Sequence, residues 1–250
     1  MMKTRISNSH HRFSVLSVMF DLDGTLIDSL DVYYKVVMVA FKKLNLPPVS
    51  RDKIYAAVED GQFMWERVLP ADKLIEKEAL IQRGIMFARD AYPDIFHQEV
   101  DLFQGVPELL AEIGALGIKI GIVTATPRDN MVEKERLLAK RGVSQYIDTI
   151  VTNDDAPHPK PAPDTILECC RRFSVPPEQS LFVGDTHVDI RAGKAAGTMT
   201  AAVLTGFDTR ETLHRTTPDV ILKQVSDLAG MIVKKKLSAI ALELKHLRRW

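Results

Sequence analysis

The chain has 250 residues, 46% of them hydrophobic and 26% charged, an ordinary globular composition with room for one α/β domain and a smaller insert. Its 33 basic and 33 acidic residues balance, which argues against a nucleic-acid-binding surface as the main function. No run approaches the roughly 20 apolar residues of a membrane span.

Residues 1–12 are polar and read as a flexible tail. The apolar run that follows is short, carries two serines and lacks a small-residue cleavage site, so it is not a signal peptide. Val15–Phe20 reads as a buried strand ending abruptly on Asp21, with Asp23 two residues later and Gly24-Thr25 free to turn. Two carboxylates this close repel each other unless a cation lies between them. After Asp28 the period changes to that of a helix: Tyr33, Val36, Val37, Ala40, Phe41 and Leu44 share a face, Ser29 is placed as N-cap, and Pro47-Pro48 ends the run. Further helices are expected over 52–58, 63–69 and 72–92, the last with Leu74, Ile81, Ile85, Ala88 and Tyr92 on one face. No strand is expected between Asp28 and Gln98, so 29–98 reads as an all-helical insert.

From Gly105 helix and strand alternate. A helix opens at Val106-Pro107 and closes at Gly117. A strand over 118–123 ends on Thr124-Ala125-Thr126, and a helix follows over 128–141. A short strand at 149–151 leads into a proline-rich loop holding Lys160, and a helix covers 164–173. A strand over 181–183 ends on Gly184-Asp185, and a helix containing Asp189 stops near Gly197. Strands over 201–204 and 220–222 complete the pattern. This alternation predicts an α/β fold: a Rossmann-like parallel sheet covered by helices on both faces, with ligands in the crevice beyond the C-terminal strand ends. The adjacent Cys169 and Cys170 point to different sides of a helix and make a poor disulfide, which points to a reducing, cytoplasmic setting.

Four segments thus deliver polar groups to one sheet edge. Clustered carboxylates require a hard cation, and oxygen-only ligation suits Mg²⁺. His158 and His187 read as hydrogen-bonded or solvated loop residues, and no His/Cys spacing indicates zinc. The Thr124 hydroxyl, the backbone N–H groups around Ala125 and the Lys160 ammonium suit a phosphoryl dianion. A carboxylate can attack phosphorus, and a second one can carry the proton.

The segment Phe20-Asp21-Leu22-Asp23-Gly24-Thr25 resembles motif I of the haloacid dehalogenase-like phosphatases. Val123-Thr124-Ala125-Thr126 resembles motif II, Lys160-Pro161-Ala162-Pro163-Asp164 motif III, and Val183-Gly184-Asp185-Thr186-His187-Val188-Asp189 motif IV. The resemblance covers 15–232. It implies Asp21 as nucleophile, Asp23 as general acid/base, and Thr124, Ala125 and Lys160 on the phosphoryl group. It also implies Mg²⁺ held by Asp21, the Asp23 carbonyl and Asp185, with Asp189 supporting. The insert at 29–98 is similar to the family's type C1 cap, and 13–28 with 99–232 form the catalytic core. Asp23 sets the chain apart from the dehalogenase branch, and 60–62 lacks the cap lysine of phosphonoacetaldehyde hydrolases. Thr25 stands where β-phosphoglucomutases usually carry Val or Ile. The stretch 58–69 resembles the cap of phosphoglycolate phosphatases, which puts Gly61, Gln62 and Arg67 toward the substrate. The expectation is a Mg²⁺-dependent phosphatase for a small phosphorylated metabolite, phosphoglycolate first. A phosphosugar mutase and a pyrophosphatase stand as alternatives, and a catalytically silent binding protein as a minority one. The chain is expected to be a monomer or homodimer. Residues 233–250 read as a basic amphipathic helix, with Leu237, Ile240, Leu244 and Leu247 as its stripe. Packing on the core or on a partner subunit is favoured over contact with a membrane surface.

Overall fold

The structure, a computed structural model, describes residues 12–59, 62–70 and 77–235. The N-terminal tail and most of the C-terminal segment considered above lie outside them. The apolar stretch at the start is two strands, β1 (Phe13–Val15) and β2 (Ser17–Phe20). Between them Leu16 donates its N–H to the Gln179 carbonyl at 2.8 Å, and the two strands go to different sheets.

The insert follows β2. It comprises α1 (Leu30–Lys43), α2 (Arg51–Tyr55), a hairpin of β3 (Val58–Glu59) and β4 (Gln62–Phe63), and the long α3 (Lys77–Glu99). Among the described residues it is therefore helical except at the hairpin, which takes in Val58 and Phe63, the facing ends of two expected helices. Val58 and Phe63 pair across the hairpin, a register that suits a β-branched and an aromatic residue. The expected helix over 63–69 is only a 3₁₀ turn at Trp65–Arg67, because Trp65 is buried, with its ring 6.5 Å from that of Phe41. Gly84 of α3 admits it: a Cβ there would fall 2.7 Å from the indole. Helix α3 also runs through Pro93, where the sequence reading stopped it. Tyr92 and Phe96 pack with ring centroids 5.3 Å apart and Phe96 is buried, a tertiary gain set against the cost of an interior proline.

The core continues with α4 (Val106–Ala115), β5 (Lys119–Val123), α5 (Val132–Lys140), β6 (Thr149–Val151), α6 (Asp164–Phe173) and β7 (Ser180–Gly184). It ends with α7 (His187–Ala196), β8 (Met199–Val203), α8 (Arg210–Arg215), β9 (Val220–Leu222) and β10 (Ile232–Lys234). Six parallel strands run in the order β6-β5-β2-β7-β8-β9. Their side chains alternate between two cores. Val18, Phe20, Ile120, Ile122, Leu181 and Val183 face one side with α4, α5 and the insert, while Met19, Val123 and Phe182 face α6 and α7. Chain direction across the sheet reverses at β2, so β2 and β7 flank the switch point where such folds bind ligands. Strand β10 pairs in parallel with β1, so Val233 and Lys234 lie in a strand and not in the expected helix. The open backbone edge of β1 supplies the hydrogen bonds that a helix start would leave unmade.

On the outer flank Arg172 ties α6 to the loop after β6, with Nη2 2.7 Å from Asp155 and Nε 2.8 Å from Glu168. Hydrogen bonds from Arg171 and then Arg172 pull Glu168 down to about 2. Burial raises Asp155, but Thr152, Arg172 and Arg128 outweigh it and hold it well below the carboxylate range. Replacing Arg172 with Met should cost about 1–2 kcal/mol at neutral pH, a charged hydrogen bond discounted for partial exposure. Both carboxylates have depressed native values, so the stabilisation is full above about pH 4.5 and lost as pH falls through them. Urea melts of the two proteins should therefore converge toward about pH 2.

Candidate active site

Asp21 follows β2 directly, and its N–H donates to the Val183 carbonyl of β7 at 2.8 Å. Asp185 follows β7, and Asp189 sits in the first turn of α7. Carboxylate oxygens of these three buried residues lie within 4.8 Å of one another. One cation is inside the group. Lys160 Nζ donates to Asp21 Oδ1 and Asp189 Oδ1, each at 2.6 Å, and to the Val123 carbonyl at 3.3 Å. All three ammonium donors are thus used. A phosphoryl group reaching Lys160 has to displace one of these acceptors.

Asp185 is held on both oxygens. Oδ1 accepts from Thr25 Oγ1 at 2.9 Å, and Oδ2 from the Phe207 N–H at 3.1 Å. Two glycines make room for it. Gly24 has φ +77°, and a Cβ on Gly206 would fall 1.6 Å from Oδ2. Asp189 is committed to the protein: Oδ2 accepts from the Thr186 hydroxyl at 2.6 Å in a capping box, and Oδ1 is taken by Lys160. Asp21 keeps Oδ2 without a partner among the described residues, leaving the lone pairs a nucleophile needs.

Three carboxylates and one ammonium leave two negative charges uncompensated. Burial accordingly pushes Asp21 up to about 7 against the pull of Lys160. Burial, then the charges of Asp189 and Asp21, hold Asp185 well above the carboxylate range. This deficit and the oxygen-only donor set fit one hard divalent cation, which Asp21, Asp185 and Asp189 could hold.

Asp23 is set apart with a cation of its own. Lys134 Nζ and Thr126 Oγ1 donate to its Oδ2, the latter at 3.2 Å, and Ser29 Oγ donates to Oδ1 at 2.7 Å. Burial pushes Asp23 up, but the Lys134 charge and these bonds outweigh it, and the carboxyl lies below its ordinary value. Ser29 holds the N-cap position of α1 as expected, yet its hydroxyl serves Asp23 and makes no cap bond. The ionised carboxylate is the stronger acceptor, and α1 forgoes about 1 kcal/mol of capping.

Thr124 is buried at the tip of β5, and its Oγ1 accepts from the Thr126 N–H at 3.1 Å, which fixes the turn through Ala125. Among the expected cap residues, Gly61 lies outside the described residues, Gln62 falls in β4, and Arg67 is exposed on the 3₁₀ turn. The insert instead brings Tyr33 of α1 and Tyr92 of α3 into the field of the carboxylates. Burial first, and then Asp23, raise both phenols far above their ordinary value. The Tyr33 and Tyr55 rings meet Phe207 edge-on at 5.5 and 5.9 Å, which ties the insert to the loop that holds Asp185. Sequence reasoning placed both tyrosines on apolar stripes and passed over Lys134. A lysine at 134, between Met131 and Leu138 on the buried side of α5, is the signal that was available.

A sequence model of the family described as haloacid dehalogenase-like hydrolase matches residues 18–203. The phosphoglycolate phosphatase of Escherichia coli (strain K12) is 29% identical over 232 residues, covering 86% of this chain and 91% of that protein. A crystal structure described as a predicted phosphoglycolate phosphatase from Haemophilus somnus 129PT superposes with a TM-score of 0.77. It is 26% identical and covers 87% of this chain and 97% of its own. CbbY from Rhodobacter sphaeroides in complex with phosphate shares the fold, with a TM-score of 0.67 at 21% identity, over 87% of this chain and 99% of that one.

Proposed function

The chain belongs to the haloacid dehalogenase-like hydrolase family and is a phosphoric monoester phosphatase, and from that premise we propose which residues do the chemistry and on what. The observation that carries the reading is the division of labour between the two motif carboxylates. Asp21 lies in the under-neutralised cluster with Oδ2 unpartnered among the described residues, while Asp23 is paired separately with Lys134.

Asp21 Oδ2 attacks phosphorus, the bond to the leaving-group oxygen breaks, and that oxygen takes a proton from Asp23. A water then attacks the aspartyl-phosphate as Asp23 accepts its proton, and inorganic phosphate departs with Asp21 restored. Asp23 is ionised in the substrate-free site; the negative charge of the arriving phosphoryl group raises it, and it takes up a proton from water as the ester binds. Mg²⁺ held by Asp21, the Asp23 carbonyl and Asp185 would neutralise charge on the transferring group, with Asp189 orienting Lys160 from behind. Lys160, the Thr124 hydroxyl and the N–H groups of the turn through Ala125 bind the phosphoryl oxygens.

The insert at 29–98 acts as a cap that excludes water, and it brings Tyr33 and Tyr92 into the field of Asp23. Phosphoglycolate is the first candidate, supported by the relatives that carry that name. No helix among the described residues is long and apolar enough to cross a membrane, and the free Cys169 and Cys170 suit the cytoplasm.

The test is phosphate release from a panel of glycolate, sugar, nucleotide and pyrophosphate substrates. Phosphoglycolate should rank first, and EDTA should abolish release until Mg²⁺ in excess restores it. Activity indifferent to chelation, or isomerised sugar phosphate in place of free phosphate, would overturn the reading.

A further inference from the structure

We infer that Lys134 is a positioning residue for the reaction: anchored in α5, it fixes the Asp23 carboxylate in the orientation from which a proton reaches the leaving group. This rests on the reading of Asp23 as the general acid. The ground is geometric. Lys134 is 4% exposed and sits on the side of α5 that otherwise buries Met131, Leu137 and Leu138. An ammonium is costly in such a place unless it is paired, and packing alone would be served as well by Met or Leu. Its partners are Asp23 Oδ2 and, at 2.5 Å, Thr126 Oγ1, which in turn donates to the same carboxylate oxygen. Lysine, threonine and aspartate thus close a three-membered ring on Oδ2, while Ser29 holds Oδ1.

Three segments converge here: the core helix α5, the turn after β5, and the start of α1 where the insert begins. Lys160 takes no part, its donors being spent on Asp21, Asp189 and Val123. With both oxygens held, Asp23 has no rotational freedom to lose when the ester arrives, and proton transfer gains from that preorganisation.

The test compares kcat/KM, which reports the steps through departure of the leaving group, on two kinds of ester. Phosphoglycolate and glycerol 2-phosphate release alkoxides that need a proton. p-Nitrophenyl phosphate releases a phenolate that does not. Lys134→Met in the full-length protein should lower kcat/KM for the alkyl esters by about 30- to 100-fold, a part of the usual acid–base contribution, and for the aryl ester by under about 3-fold. Lys134→Arg should show the same selectivity with a smaller loss, and carries the test should the Met variant not fold. An equal loss on both esters marks a merely structural lysine and overturns the inference. So does no loss, or a rise in KM confined to substrates bearing a second anionic group. Asp23→Asn run in parallel separates the two levels. If it shows no preference for alkyl esters, the reading of Asp23 fails and this inference with it. If it does and Lys134→Met does not, the inference alone fails.

Discussion

Asp21→Asn is expected to reduce phosphate release by about 10⁴-fold or more, the scale on which loss of a covalent nucleophile is felt. The amide keeps the shape of the carboxylate and can still meet Lys160, so the site around it should hold. What disappears is the pair of electrons that Oδ2 would bring to phosphorus. Charge makes the substitution a clean test, since it removes a negative charge from a cluster that carries three against one ammonium. Stability should therefore stay level or rise, because the burial that pushes Asp21 up to about 7 no longer opposes an ionised group. The measurement pairs steady-state phosphate release with a thermal melt and with acid quenching in labelled substrate. Wild-type protein should yield a hydroxylamine-sensitive phosphoenzyme and the Asn variant none. Residual activity of a few per cent with an intact melt would remove Asp21 from the nucleophile's place.

The fold was legible where one rule governed one segment. Val18, Met19 and Phe20, the Ile120–Val123 run and Leu181–Val183 announce strands by burial on both faces, and their spacing sets the alternation with helices. The cluster of Asp21, Asp185 and Asp189 with Lys160 was legible for the same reason, each residue standing at or soon after a strand end. Where two rules competed, the sequence misled. Pro93 signals a stop, but burial of Phe96 carries α3 onward, and a helical period at 63–69 yields to the hairpin and the seat of Trp65. Contacts made across the sequence had no local mark. Lys134 reaches Asp23 across 111 positions, Thr205 reaches the Gly24 carbonyl across 181, and Phe207 meets Tyr33 and Tyr55 from a loop with no pattern of its own. Tyr33 and Tyr92 obey the helical period and still lie within the field of the carboxylates, because an amphipathic ring satisfies both demands.

Lys160→Met should be the most destabilising single change in the site. The side chain is buried with its Nζ between Asp21 and Asp189, and removing it strands three buried carboxylates without a counter-ion. Breaking one partner of a buried pair costs about 3–5 kcal/mol, and methionine supplies similar bulk beside the Phe182 ring, whose centroid lies 5.6 Å from Nζ. The pH dependence gives the diagnosis. In chelator, Asp21 and Asp185 already have native values raised above the unfolded ones, so the native state binds more protons than the unfolded state. Stability then falls as pH rises from about 4, the unfolded value, through the native ones. Without Lys160 those native values climb further, and the variant should lie close to wild type near about pH 5 and far below it near about pH 8. Mg²⁺ should narrow the gap at pH 8, because a ligand of the folded state stabilises it by mass action and the variant has more uncompensated charge to satisfy. Urea melts at the two pH values, with EDTA and with excess Mg²⁺, give the four numbers required. A loss under about 1 kcal/mol at pH 8 in EDTA, or a gap that does not grow with pH, would show that the carboxylates are balanced by something other than this lysine.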